Sequence, residues 1–333
     1  MKNILKNTAI AMLCGMSLTS CEGFFNQIVT LDIPPQKSVI VLNCLLEPEI
    51  PFMIGISNSI PALGTTNPTK SVKNAQITLK ADGVEITDIF LDSMLNIDPN
   101  GMQVYEYVYR TLNTKPVAGK TYTINVSLAG FEPVNATYTM PESAVISNVV
   151  VERNARTVNN IDYNRITFVI QDVAAQKNYY ALKVDTKIID TVTNEGRGSY
   201  FYDYFTRDLS VRENYETDPI GGGTDETVLG VRYYNAALFT DSKFDGKNKT
   251  IEFFMQTESF DRNNTGSGIP TEQKFLELVV DGYSIESYRY ILQIEKQARV
   301  SGSPFADPVQ ITTNINGGLG IFAGKSTYKL RIN

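Results

Sequence analysis

The chain has no histidine and no tryptophan among its 333 residues, only three cysteines, and no apolar run approaching the roughly 20 residues needed to cross a bilayer as a helix. Each absence removes a class of function. Without imidazole there is no Ser-His-Asp triad, no Cys-His pair, no His-bearing zinc site and no imidazole acid/base, which leaves carboxylate, lysine or tyrosine chemistry. Without tryptophan, the usual stacking platform for sugars is missing. The formal net charge is −6, and no basic stripe is present to neutralise phosphates, so nucleic acid is excluded as a partner.

What is there begins with Lys2 and Lys6, a short apolar run from Ala9 to Leu18, and then Leu18-Thr19-Ser20-Cys21. This is the charged, apolar and small-residue order of a cleavable export signal. Leu-Thr-Ser-Cys resembles a bacterial lipobox, in which the cysteine is lipidated and becomes the new N-terminus. A thiolate is the side-chain nucleophile best suited to that alkylation. Residues 1–20 are therefore expected to leave as a signal, Cys21 to carry lipid, and 21–36 to form a tether. At about 0.8 kcal/mol per buried methylene, several acyl chains hold a protein on a membrane.

Of Cys14, Cys21 and Cys44, the first leaves with the signal and the second is lipidated, so Cys44 is expected to be a small buried hydrophobe in "SVIVLNCLL", with no disulfide in the mature chain. Loss of Lys2 and Lys6 leaves 28 basic against 36 acidic residues, a net charge of −8. A chain of this length with 42% hydrophobic residues should form about two domains with real cores.

The dominant period is two. "TYTINVSL" sets Tyr122, Ile124, Val126 and Leu128 on one face, and "VNATYTM" does the same with Val134, Ala136, Tyr138 and Met140. "AQITLKADGVEI" alternates, turns at Asp82-Gly83 and resumes. The second half carries further strands in "RITFVIQD", "YYALKVDTKII", "TIEFFMQ" and "FLELVVD". "SIESYRYILQIEKQAR" differs: Ser284 is a plausible N-cap, and Ile285, Tyr288, Ile291, Leu292 and Ile294 fall at helical spacing. The expected fold is mainly β, with two antiparallel β-sandwich domains. The first, Ig-like or transthyretin-like, spans 37–141; the second, β-rich, spans 142–333 with one helix near 284–298.

Three further patterns bear on function. "GLGIFA", Gly318 to Ala323, matches a dinucleotide-binding glycine pattern, but too little chain follows for the helix and acidic residue that pattern needs, so close backbone approach before a last strand is expected. "DSKFDGKN", Asp241 to Asn248, lacks the spacing of a calcium loop and reads as a hairpin turn at Asp245-Gly246. No cofactor and no metal are expected. Tyr105, Tyr107 and Tyr109 share one strand face and suit cross-strand packing. Tyr200, Tyr202 and Tyr204 share another at the start of a long insert reaching Tyr234, whose Gly221 to Gly223 run lets it adapt. Those three tyrosines with Arg207 and Arg212 are the candidate contacts for a ligand or partner.

The segments "GKTYTINVSLAGFEPVNATYTMP", "LFTDSKFDGKN", "SYRYILQIEKQ" and above all "SPFADPVQITTNINGGLGIFAG" resemble the DUF4249 family of Bacteroidota lipoproteins. The resemblance implies an outer-membrane lipoprotein exposed at the cell surface, without established biochemical activity, working beside a TonB-dependent transporter. It supplies no catalytic residues. It also implies a taxon that glycosylates exported proteins at Asp-Ser/Thr sites, for which Ser93 and Thr191 are candidates. The expected role is a non-enzymatic accessory in nutrient uptake, with the membrane and a transporter as partners and a small molecule, peptide or glycan as ligand. A fimbrillin-like structural or adhesive subunit is the alternative, although the first arginine, Arg110, lies in a predicted strand and not where arginine-directed maturation would cut. Hydrolysis by the acids Asp203, Asp218, Asp225 and Glu226 is the weakest alternative, because one adaptable insert does not fix a carboxylate separation.

Overall fold

A computed structural model describes residues 37–60, 71–97, 103–174, 176–190, 192–193, 196–201, 203–211, 229, 231–233, 236–257, 272–300, 307 and 309–332. The first half of the chain supplies β1 (Ile40–Leu46), β2 (Met53–Asn58), β3 (Gln76–Ala81), β4 (Val84–Ile86), β5 (Ile89–Ile97), β6 (Gln103–Thr111), β7 (Thr121–Ser127) and β8 (Val134–Thr139). The second half supplies β9 (Val145–Val158), β10 (Ile161–Gln171), β11 (Tyr179–Asp190), β12 (Gly196–Phe201), β13 (Tyr204–Thr206), β14 (Val231–Tyr233), β15 (Ala236–Thr240), β16 (Lys249–Gln256), β17 (Glu272–Tyr283), the helix α1 (Ile285–Val300) and β18 (Leu319–Arg331). The protein is mainly β. A nine-stranded sheet runs β12-β11-β17-β18-β1-β2-β6-β5, with β15 also on β11; a five-stranded sheet runs β14-β13-β16-β10-β9; a four-stranded sheet runs β4-β3-β7-β8.

Alternation explains the first core. Tyr122, Ile124 and Val126 on β7 and Val134, Ala136 and Tyr138 on β8 are all buried, and Leu128 packs partly buried beside them. They meet Ile40, Leu42, Cys44 and Leu46 of β1 and Ile54 and Ile56 of β2. Burying one such large apolar side chain contributes roughly 1.5–3 kcal/mol. Cys44 is among them, and burial pushes its thiol up to about 12 despite a backbone hydrogen bond from Met53. At Asp82 and Gly83 the backbone takes φ of 48° and 84°, the left-handed pair that turns β3 tightly into β4.

The same core takes in Ile315, Ile321, Phe322 and Ala323 from the far end of the sequence. β18 lies parallel to β1, with Leu42 opposite Gly320 and Leu46 opposite Gly324. This departs from purely antiparallel sheets. The glycines make the approach possible: a Cβ on Gly320 would stand 2.1 Å from the Leu42 carbonyl oxygen, and one on Gly324 would stand 2.3 Å from that of Leu46. "GLGIFA" is thus a close-approach motif opening a strand. Asn314 fixes the same strand by donating to the Phe322 carbonyl (2.7 Å) and accepting from its N–H (2.9 Å).

At Gly324 the strand changes partner. From Lys325 to Arg331, β18 pairs antiparallel with β17. The Gly324 carbonyl accepts hydrogen bonds from the hydroxyls of Tyr138 on β8 (2.7 Å) and Ser287 on α1 (2.6 Å), both buried. The second core then forms between inward residues of β11 and β17 (Leu182, Val184, Leu276, Leu278, Val280) and of β10 and β16 (Ile166, Phe168, Ile251, Phe253). On the opposite face of the nine-stranded sheet, Ile285, Tyr288, Ile291 and Leu292 of α1 pack on Tyr179, Ala181, Leu238 and Tyr283, while Ile294 is exposed. Ser284 caps the helix, its hydroxyl accepting from the Ser287 N–H at 3.3 Å.

Asp245-Gly246 does not make a hairpin. β15 pairs with β11 and β16 with β10 and β13, so the turn carries the chain from one sheet to another. Alternation in the flanking strands says which faces are buried, not which strands pair.

Gly320 and Gly83 both sit at positive φ, but only Gly320 has an atom within 4 Å of a Cβ position. Gly83→Ala should therefore cost about 1 kcal/mol and Gly320→Ala at least about 2 kcal/mol more, read as denaturant midpoints. Equal losses would show that the contact with Leu42 does not constrain the strand.

Candidate functional site

The tyrosines grouped by the sequence separate in the structure. Tyr200 lies on β12 in the nine-stranded sheet, opposite Thr186, whereas Tyr204 lies on β13 in the five-stranded sheet. Tyr204 is a core residue, not a surface contact. It is fully buried, its hydroxyl donates to the Leu182 carbonyl (2.8 Å) and accepts from the Ala237 N–H (2.9 Å), and its ring meets Phe253 edge-on at 5.4 Å. It ties the two sheets together across the second core. Arg207 is exposed beyond β13, and the following Ser210 and Val211 are buried again. Tyr202, Arg212, Thr191 and Cys21 lie outside the described residues. Ser93 is exposed on β5, its N–H donating to the Asp92 carboxylate at 2.8 Å.

Of the other tyrosine set, only part packs. Tyr109 is buried and its hydroxyl accepts from the Ala75 N–H (2.8 Å); Tyr107 has the Lys73 ammonium 4.1 Å above its ring; Tyr105 is 60% exposed.

A polar cluster emerges that the sequence reading did not single out. Past the edge of α1, the face of β11, β17 and β18 carries Lys183, Asp185, Asp281, Lys325, Thr327 and Lys329 around a cavity of about 160 Å³, closed by Glu47, Pro48 and Glu49. Asp281 is fully buried. Its carboxylate pairs with the Lys183 and Lys325 ammonium groups and accepts from Thr327 (2.8 Å) and Tyr283 (3.2 Å). Burial alone would raise this carboxyl, but the two lysines outweigh it and hold the group below its ordinary value. Lys325 is held above its ordinary value by Asp281 and Glu47 against the opposing effect of burial. Asp185 behaves oppositely: burial raises its carboxyl, Glu277 adds to the rise, and its Oδ1 is buried without a hydrogen-bond partner. The signal available in the sequence was an acid, Asp281, directly after the apolar run Leu278-Val279-Val280.

The loop that leaves β15 brings together a second acidic group. Carboxylate oxygens of Asp172, Asp241 and Asp245 lie within 4.8 Å of one another, an oxygen set of the kind hard cations take. Both Asp172 oxygens already accept hydrogen bonds, from Asn178 (2.9 Å), Tyr180 (3.1 Å) and the Gly246 N–H (2.8 Å), and Asp241 accepts from the Asn178 N–H (2.7 Å). Burial, with Asp172 and Asp245 nearby, raises the Asp241 carboxyl.

Fold and site together define a mainly β protein, its described residues forming three sheets with helix α1 on the open face of the largest. The chain matches the family model described as Domain of unknown function (DUF4249) over residues 27–331, and it belongs to that family. No curated protein matches it.

The Asp281 network carries a pH signature. A carboxyl held below 3.8 in the fold contributes stability that is present above that value and is lost as pH falls through the lowered one. Asp281→Asn should therefore cost about 3 kcal/mol at neutral pH, because it leaves two lysines without their buried partner. It should also flatten the loss of stability below pH 3.8 in acid titrations of the denaturant midpoint. Parallel pH profiles for variant and wild type would remove the assignment.

Proposed function

We propose that this chain is a surface-exposed outer-membrane lipoprotein that acts without catalysis as an accessory binding partner of a TonB-dependent transporter. The observation that carries the reading is Leu18-Thr19-Ser20-Cys21 set directly behind a short apolar run, which specifies an anchor, followed by a chain whose alternating residues go into β cores. Membership of the DUF4249 family supports it. We read the two cores as two sandwiches: the four-stranded sheet over the β1, β2 and β18 end of the large sheet, and the five-stranded sheet over its β11 and β17 end. The mixed-charge cavity beside Asp281 is the candidate ligand site, since Asp185 Oδ1 offers a buried acceptor and Lys183, Lys325 and Lys329 offer donors.

Contact with the transporter is assigned to the insert from Tyr200 to Tyr234, through Tyr200, Tyr202, Arg207 and Arg212, residue types that interface cores favour. A tether of about fifteen residues would span roughly 20 Å if coil-like, and a weak interface with a neighbouring barrel would then be occupied. Because Ser210 and Val211 are buried, a loop replacement has to begin at Arg212.

Affinity capture from mildly solubilised outer membranes tests the reading. Wild type should bring down a TonB-dependent barrel. Cys21→Ala should lose both fatty-acid label and membrane attachment. Arg207→Ala with a short Gly-Ser loop in place of 212–225 should keep the label and lose the barrel. Retained label in Cys21→Ala would remove the anchor, absence of any barrel would remove the partner, and equal capture by the loop variant would remove the site.

A further inference from the structure

Strand register lays out the polar face of β11, β17 and β18 in rows. Ala181, Asp281 and Thr327 stand side by side across the three strands, then Lys183, Val279 and Lys329, then Asp185, Glu277 and Arg331. Around the cavity of about 160 Å³ these rows set carboxylates and ammonium groups over an apolar floor, Val279, which is 5% exposed. That volume has room for about five waters at roughly 30 Å³ each, or for one small organic molecule.

The charges of this face are not equally committed. Lys183 and Lys325 are both held by the buried carboxylate of Asp281. Lys329 pairs instead with Glu49, whose side chain is 66% exposed on the turn after β1. Such an exposed pair contributes little and gives way to another anion at little cost. Asp185 lines the cavity without an ion pair among the described residues, and its Oδ1 is buried without a hydrogen-bond partner. Burial, and then Glu277 opposite it, raise its carboxyl, an effect that a cation placed beside it would offset. One negative group on β11 and one positive group on β18 are thus open to a ligand, with β17 between them. Neighbouring strands lie about 4.8 Å apart, so the two start roughly 10 Å apart, a span that the long Lys329 stem shortens.

We propose that this cavity binds a small zwitterion, an amino acid or very short peptide, with its ammonium on Asp185 and its carboxylate on Lys329. The proposal rests on the reading of the cavity as the ligand site and adds the class of ligand. A bare cation would meet the ammonium groups of Lys183, Lys325 and Lys329, and a bare anion would meet Glu47, Glu49, Asp185 and Asp281. A zwitterion sets each of its charges against the opposite one. A neutral sugar would leave Asp185 without a counter-charge, and no aromatic side chain lines the cavity among the described residues. The apolar floor at Val279 suits a short carbon skeleton between the two charges.

Titration calorimetry on the mature protein in detergent tests this with four compounds. They are L-alanine, L-alanyl-L-alanine, L-alaninamide, which lacks the carboxylate, and N-acetyl-L-alanine, which lacks the ammonium. L-alanine should bind wild type, and the two blocked compounds at least about tenfold more weakly, because a site built for a polar group rejects the analogue without it. In Asp185→Asn, L-alanine and N-acetyl-L-alanine should bind alike; in Lys329→Met, L-alanine and L-alaninamide should bind alike. Both variants should melt with the wild type, since Asp185 has no ion pair to lose and Lys329 only an exposed one. The comparison of compounds on wild type stands even if a variant does not fold. Tighter binding of the dipeptide, with the same response to the variants, would identify a peptide as the source of the two charges, and tighter binding of L-alanine a free amino acid. Equal binding of L-alanine and either blocked compound to wild type would overturn the zwitterion, and so would no binding of any compound at millimolar concentration. If that equal binding were weakened in Asp185→Asn, the cavity would stand as the site and only the ligand class would fall. L-alanine bound equally by wild type and both variants would place the ligand elsewhere and remove the cavity itself.

Discussion

The contact between the first and last strands is the constraint on which the rest of the structure depends. β18 lies parallel against β1 because Gly320 and Gly324 present no Cβ to the carbonyls of Leu42 and Leu46. With Ile321, Phe322 and Ala323 in place, the first core is complete; without them it is open on one side. The same strand then runs on beside β17, where Tyr328 and Ile332 pack on the second core. One strand thus completes two cores, and the hydroxyls of Tyr138 and Ser287, meeting on the Gly324 carbonyl, fix the point of exchange.

That exchange also locates the polar face. Residues of β18 after Gly324 alternate, so Lys325, Thr327 and Lys329 share the side that β11 presents through Lys183 and Asp185 and β17 through Asp281. Helix α1 covers the apolar portion of this side and stops short of the charged portion. A buried carboxylate there is tolerable only because two ammonium groups and two hydroxyls serve it. The neighbouring Asp185 is served less well, and the two aspartates accordingly shift in opposite directions.

Local features of the fold were legible in the residues. Alternation in 122–128 and 134–140 marks a buried face because side chains in a strand repeat every two residues, and the buried residues are those expected. The Asp82-Gly83 turn and the Ser284-capped helix carry their own chemistry. Pairing between distant strands was not legible. Nothing near Leu42 names Gly320 as its neighbour, and nothing in "DSKFDGKN" says that Asp172 will join it. The tyrosine group misled for a related reason: the chain leaves one sheet between Tyr200 and Tyr204, so a common spacing in sequence does not become a common face. Asp281 was visible as an acid directly after an apolar run, but its meaning depends on lysines brought in from two other strands.

Shared by both cores, β18 should make them one cooperative unit. Amide hydrogen exchange, followed by mass spectrometry on wild type and on Gly320→Ala, tests it most directly. Amides of Leu42 and Phe322 in the first core and of Leu278 and Val280 in the second should exchange through a common opening, and all four should accelerate together in the variant. Acceleration confined to Leu42 and Phe322, with Leu278 and Val280 unchanged, would contradict it.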